Sequence, residues 1–163
     1  MNEAPNKTAT PELTPADYLE IHQLYGKYSF ALDMGDGAGR AAVFTADGTF
    51  KAALTDHKLD SVETIAERTT RLGNQGRRHL MMNIVITPTP EGAAGRAYAV
   101  IMDETKDKAG STDGPLQGKT GIYVDTLVRT PQGWRFRTRE FLRDQDADSP
   151  FRRGSPPALM PWR

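Results

Sequence analysis

Apolar and polar positions follow two regimes along this chain, a helical one first and a strand-like one in the second half. Ile21, Leu24, Tyr25, Tyr28 and Leu32 recur at steps of three and four residues, which sets them on one stripe of an α-helix facing a core. Thr14-Pro15-Ala16-Asp17 opens that helix with a hydroxyl cap, a proline at the first helical position and an acid three residues on. Gly35, Gly37 and Gly39 release the chain, so the spacing predicts a helix over 15–34. A short helix is expected over 40–44, a strand over 49–54, and a third helix opening at the pair Asp60 and Glu63 and running to about residue 74. Four long stretches follow, 78–87, 93–105, 119–130 and 134–143, rich in β-branched and aromatic residues. Pro90-Glu91-Gly92, a polar loop over 106–118 and Pro131-Gln132-Gly133 separate them, as in an antiparallel meander. Helices first and strands afterwards indicate an α+β domain, with helices on one face of a curved sheet.

The main helix carries more than its apolar face. Gly26, Ser29, Phe30 and Asp33 form a neighbouring stripe, and small residues beside a carboxylate suit the wall of a cavity better than a close-packed surface. On the first long strand, alternation sets His79, Met81, Asn83 and Val85 on one side and Leu80, Met82, Ile84 and Ile86 on the other. Both sides are mostly apolar. With helices on only one face of the sheet, the other face needs a cover, most simply a second copy of the chain, so a homo-oligomer is expected.

Composition narrows the partners. A chain of 163 residues fits one domain, read here as 14–144 between a flexible leader over 1–13 and a tail over 145–163. The tail is polar until Leu159-Met160-Pro161-Trp162, an apolar end suited to a lid or an intersubunit arm. Lysine plus arginine equals aspartate plus glutamate, 21 against 21, so no overall positive field draws the chain to nucleic acid or an anionic membrane. A small-molecule substrate is expected. The sequence has no cysteine, which removes disulfides, thiolate metal sites and a cysteine nucleophile. No apolar run is long enough for a membrane span and no signal segment is evident, which makes the cytoplasm the expected location. His22 and His57 lie in polar surroundings, and no His-x-x-x-His spacing points to a metal. The run from Gly35 to Gly39 follows a helix and lacks a P-loop lysine, which argues against a nucleotide loop.

Six segments in order resemble the nuclear transport factor 2-like superfamily, within it the scytalone dehydratase-like and SnoaL-like group. They are Ile21-x-x-Leu-Tyr-x-x-Tyr28, Ala31-Leu-Asp33-x-Gly-Asp36, Phe44-x-x-Asp47-Gly48, Arg78-His79-x-x-x-Asn83, Gly121-x-Tyr123-x-Asp125 and Gly133-Trp134-x-Phe136-x-x-Arg139. The resemblance implies a cone-shaped α+β barrel, a bent sheet wrapped around the first helices with the ligand pocket inside. It also implies a catalytic set of Tyr28, Asp33 and His79, with Arg139 added in some lyases, and no cofactor or metal. A second pocket histidine present in scytalone dehydratase is lacking, which argues against that reaction. Trimers are implied over the dimers of the steroid isomerase branch.

These residue types suit an elimination. Asp33 would orient His79 and raise its pKa, His79 would move a proton, and Tyr28 would hydrogen-bond an oxygen gaining charge. The expected reaction is loss of water, or of formaldehyde, from a hydroxylated aromatic, lignin-derived or polycyclic molecule. Met81, Asn83, Tyr98, Tyr123, Phe30 and Trp162 are candidate substrate contacts. Arg139 points inward only if a bulge near Thr138 breaks simple alternation; otherwise Glu140 does. Two alternatives stand beside the lyase. A ketosteroid isomerase-like enzyme would need a second buried acid from Asp103, Asp125 or Glu140. A non-catalytic binding or assembly module would be indicated if Tyr28, Asp33 and His79 diverge.

Overall fold

Thr14 caps helix α1 (Pro15–Met34) as the sequence predicts: its hydroxyl accepts from the Asp17 backbone N–H at 3.2 Å, and Asp17 Oδ2 accepts from the Thr14 N–H at 2.9 Å. The computed structural model describes residues 12–52, 57–103, 117–144, 146, 149 and 152–154. Asp17 is buried, and its second oxygen accepts from Trp134 Nε1 at 2.8 Å and from Arg129, so the cap also ties the helix to the sheet. Leu13, assigned to the leader above, is buried in the core. Ile21, Leu24, Tyr25 and Tyr28 are buried, which realises the predicted stripe.

Helix α2 (Gly37–Ala41) begins earlier than the expected 40–44, because Asp36 caps it by accepting from the Gly39 N–H at 2.8 Å. Strand β1 (Phe44–Ala52) starts where that helix was expected to end, and β2 (His57–Leu59) pairs with it. Helix α3 (Val62–Leu72) opens one residue later than predicted. Ser61 and Thr64 form the reciprocal cap, while Asp60 pairs with Lys58 at 3.1 Å.

Strands β3 (Arg77–Thr89), β4 (Gly92–Asp103), β5 (Gln117–Thr130) and β6 (Gly133–Arg143) form the antiparallel meander, and β1 joins β6 in parallel, giving the order β2-β1-β6-β5-β4-β3. The helices cover the inner face of this curved sheet, with Ile21, Tyr25, Tyr28, Ile65, Tyr123, Leu127 and Phe136 at the centre of the core. Helix and sheet meet closely at Gly95, where a Cβ would lie 2.2 Å from Tyr25 Oη. Leu80, Met82 and Tyr98 stand exposed on the outer face. Among the described residues no helix is long and apolar enough to cross a membrane.

Two register shifts decide which side chains turn inward. On β3 the ladder slips between Met82 and Val85, and Asn83 takes a positive φ of 51°. Beyond that bulge Ile86 is buried, so the sides exchange relative to simple alternation. On β6, Thr138 faces Thr126 while Phe136 faces Leu127, so two steps on β6 match one on β5. Arg137 is the extra residue. Trp134 and Phe136 point inward before it and Arg139 points inward after it.

Candidate active site

The end of α1 is set against the end of α3 by two glycines. Gly35 closes α1 in the left-handed conformation (φ 73°), and a Cβ there would lie 2.6 Å from the Gly73 Cα. This backbone contact places the last turn of α1 beside the start of β3, where Asp33 meets His79. The Asp33 carboxylate grips that residue twice: Oδ2 accepts from the His79 backbone N–H at 3.0 Å, and Oδ1 lies 2.5 Å from Nδ1. A carboxylate oxygen accepts only, so Nδ1 carries the hydrogen and Nε2 keeps its lone pair. Both side chains are nearly enclosed, 11% exposed for His79 and 10% for Asp33. Beside them opens a cavity of about 90 Å³ lined by Leu32, Asp33, Leu72, Gly73, Gln75, Arg77 and His79.

Burial holds the His79 pKa below 6.5, and the nearby Arg40 and Arg77 push it further down against the opposing pull of Asp33. The sequence expectation of a raised value is thus corrected: Asp33 acts in the expected direction, but desolvation outweighs it. A neutral imidazole at physiological pH is the form a base requires. Just below pH 6.5 the unfolded chain binds a proton at this residue that the folded chain does not, so stability rises with pH through that window and is lost on acidification. The difference in unfolding free energy between wild type and His79→Gln is therefore expected to widen as pH rises towards 6.5 in urea titrations; a difference that stays flat or narrows would contradict the lowered value.

Tyr28 is fully buried, and its hydroxyl accepts from Arg40 Nη2 at 2.8 Å. Of the three residues whose convergence separates catalyst from binder, Asp33 and His79 meet, while Tyr28 is bonded to Arg40, whose charge reaches His79.

Arg139 points inward, as the bulge on β6 requires, and its side chain is 0% exposed. Its guanidinium carbon lies 4.0 Å from the ring centroids of Tyr28 and Tyr123, 4.3 Å from Phe136 and 4.8 Å from Tyr25. Nε stands 3.5 Å from Asp125 Oδ1, and Tyr25 donates to Asp125 Oδ2 at 2.6 Å. Burial raises the Asp125 pKa to about 6 against the opposing effects of Arg139 and Tyr25. Burial, and then Tyr28 beside it, hold the Tyr123 phenol well above its ordinary value. Met81, next after His79 on the inner face of β3, reaches Arg139 Nη2 at 4.0 Å.

Tyr28, Asp33, His79, Arg139, Met81 and Tyr123 are thus gathered on the inner side. Three other candidates are not. Phe30 is 77% exposed on the outside of α1, because only Ser29 and Asp33 of the predicted stripe turn inward. Asn83 is exposed, turned out by the bulge, and Tyr98 stands on the outer sheet face at 40% exposure. Trp162 lies outside the described residues. Glu140 pairs with Lys51 at 2.7 Å, and Asp103 with Arg77 at 2.5 Å, so Asp125 is the fully enclosed one of the three acids considered for an isomerase, with Arg139 and Tyr25 already beside its two oxygens. Sequence reasoning missed Arg40 and Thr69. Arg40 Nη1 donates to Thr69 Oγ1 at 2.9 Å, and both residues are buried. The available signal was faint: an arginine set in the small and apolar run from Gly37 to Phe44. No three His, Asp or Glu side chains cluster for a metal among the described residues.

A bent sheet closed by N-terminal helices around a buried polar centre defines the class, and the chain belongs to the SnoaL-like domain family, whose model matches residues 14–140. The wider SnoaL-like and NTF2-like superfamily includes polyketide cyclases and dehydratases. Solved structures share the fold. A Mycobacterium tuberculosis protein of unknown function is 24% identical, with 84% of this chain and 82% of that one covered and a TM-score of 0.70. An NTF2-like protein with a cystatin-like fold from Novosphingobium aromaticivorans is 22% identical over 82% and 86% of the two chains, TM-score 0.70. A protein provisionally named scytalone dehydratase from the same organism is 22% identical over 78% and 84%, TM-score 0.66. No curated protein matches the sequence.

Proposed function

We propose that the protein is a cofactor-independent lyase in which the Asp33–His79 dyad removes and returns a proton on a hydroxylated aromatic or polycyclic molecule. The observation that carries this reading is the double grip of Asp33 on the His79 backbone and ring, which fixes the tautomer and leaves Nε2 as a neutral base. In a dehydration, Nε2 takes a proton from carbon, the electron pair of that C–H bond forms the new double bond, and the C–O bond breaks. The leaving hydroxide takes the proton back from the imidazolium and departs as water. In the aldehyde-releasing variant Nε2 takes the alcohol proton, the C–C bond breaks as formaldehyde forms, and the carbanion is protonated by the imidazolium. Both cycles close without an electron carrier. Membership of a superfamily with dehydratases supports the reading.

The test is turnover without added cofactor. Purified protein is incubated with a panel of hydroxylated aromatic and steroid compounds and followed by mass spectrometry beside His79→Ala. A loss of water or formaldehyde that vanishes in the variant is the expected result, and the lost mass assigns the leaving group. Turnover that persists in His79→Ala, or ligand binding with no mass change for any compound, would remove the lyase reading.

A further inference from the structure

Helix α1 faces two ways. Asp33 turns inward to His79, whereas Phe30 and Met34 stand open to solvent at 77% and 61% exposure. Beside them, between α1 and the junction of α2 with β1, runs a groove of about 470 Å³ that shares no residue with the cavity beside the dyad. Clefts that hold small molecules span roughly 300–1,000 Å³, and this groove falls within that range. Leu24, Lys27, Ala31 and Met34 recur at three- and four-residue steps, so one flank of α1 forms its long wall. At a rise of 1.5 Å per residue the wall is about 15 Å long from Leu24 to Met34. Leu24, Ala31 and Val43 are buried and form an apolar floor, and exposed Phe30 and Met34 extend it at the rim.

Two cations border this apolar surface, Lys27 from α1 and Arg135 from the start of β6. Among the described residues neither forms an ion pair. Arg135 Nη1 donates to the Trp134 carbonyl at 2.7 Å, which steadies the guanidinium with a neutral partner. The two acids nearby are directed to backbone groups. Glu20 Oε1 accepts from the Trp134 N–H at 2.8 Å, and Asp36 Oδ1, beyond the last turn of α1, accepts from the Gly39 N–H at 2.8 Å. A neutral amphiphile would leave both cations unmatched and a cationic one would be repelled. A carboxylate matches them, the arginine fork above all.

We propose that this groove binds an amphipathic carboxylate, with its head between Lys27 and Arg135 and its apolar body, up to about 15 Å long, laid along α1 against Phe30 and Met34. The site goes beyond the acid–base reading and does not depend on it. A molecule held there lies on the opposite flank of α1 from His79, so it is a carried or regulatory ligand and is not turned over by the dyad.

The probe is decanoate, used below its micelle concentration, with decyltrimethylammonium as the same chain under the opposite charge. Calorimetric titration is expected to show one decanoate per chain, bound at least about tenfold more tightly than the cation. Lys27→Glu combined with Arg135→Glu is expected to weaken decanoate at least about tenfold. Ala42→Trp, a bulky change at an exposed position of the groove, is expected to abolish binding. Should the double variant fail to fold by circular dichroism, Lys27→Glu alone, also at an exposed position, carries the charge comparison. Absence of decanoate binding, several decanoates per chain, equal binding of the two probes, or binding that survives the charge and Ala42→Trp variants would overturn the proposal. So would a chain that takes no decanoate but dimerises until Ala42→Trp is introduced, which would assign the groove to a second copy. His79→Ala separates this site from the lyase reading: it is expected to bind decanoate as wild type does, and loss of binding there would place the ligand at the dyad and remove the groove. Decanoate binding without turnover of any panel compound removes the lyase alone.

Discussion

Asp125→Ala is expected to lower the unfolding free energy by about 3–5 kcal/mol, the range found when one partner of a buried ion pair is removed. The pair is fully enclosed, with both side chains 0% exposed, and four aromatic rings surround the guanidinium that would remain. Deleting the carboxylate leaves Arg139 charged in that shell and takes from the Tyr25 hydroxyl its acceptor at 2.6 Å. Guanidinium denaturation would read the loss as a lower midpoint at unchanged slope. A loss below about 1 kcal/mol would show that the arginine finds water or another partner, and that the enclosed pair is not what holds the centre together. Asp125→Asn keeps the volume and an acceptor for Tyr25, so it is expected to cost less. It also removes a pH term whose sign is fixed. Between 3.8 and about 6 the folded chain binds a proton at Asp125 that the unfolded chain has released, so this residue makes stability fall as pH rises through that interval. The asparagine variant should lose that downward slope.

The largest expected effect on activity belongs to Asp33→Asn. On any compound that wild type turns over, kcat is expected to fall by about 10²–10⁴, the span attributed to a positioned general base, with KM changed far less. An amide at this position can donate to Nδ1, which moves the imidazole hydrogen to Nε2 and removes the free lone pair. The volume and the acceptor for the His79 backbone N–H are kept, so the fold is expected to persist. His79→Ala combined with Asp33→Asn should be little worse than either change alone, because the two act as a unit. Full additivity of the two losses, or wild-type kcat in Asp33→Asn, would show that the carboxylate does not orient the base.

The sequence was most readable where one local signal decided the outcome. Helix α1 runs over the predicted residues because Thr14, Pro15 and Asp17 act within one turn and the apolar stripe is long. The strands of the meander were visible for a similar reason, since Pro-Glu-Gly and Pro-Gln-Gly turns separate long β-branched runs. The Asp33–His79 meeting came from the order of segments shared with a family, as nothing local links residues 46 positions apart. What escaped was decided by register and by depth. A bulge at residue 83 turned Asn83 outward unannounced, whereas the bulge at residue 137 that turns Arg139 inward was stated beforehand only as the condition for that orientation; each is a single extra residue that alternation does not report. Phe30 was misplaced because an apolar residue beside a core stripe can lie on either shoulder of a helix. Arg40 was missed because a lone arginine in a short glycine-rich helix reads as solvated until the packing of α3 over it is known.

The four rings around Arg139 tie the motions of the cone interior together. None of the rings of Tyr25, Tyr28, Tyr123 and Phe136 can rotate far without moving the cation they share, and that cation is held at its other edge by Asp125. The centre of the molecule is therefore a poor place to alter substrate choice, since a change of shape at one ring is transmitted to three others and to an ion pair. Leu72, Gln75 and Arg77 line the cavity beside the dyad and belong neither to the four rings nor to the ion pair. Changes meant to alter what the protein accepts are best made at this rim, with the aromatic cage left intact as its foundation.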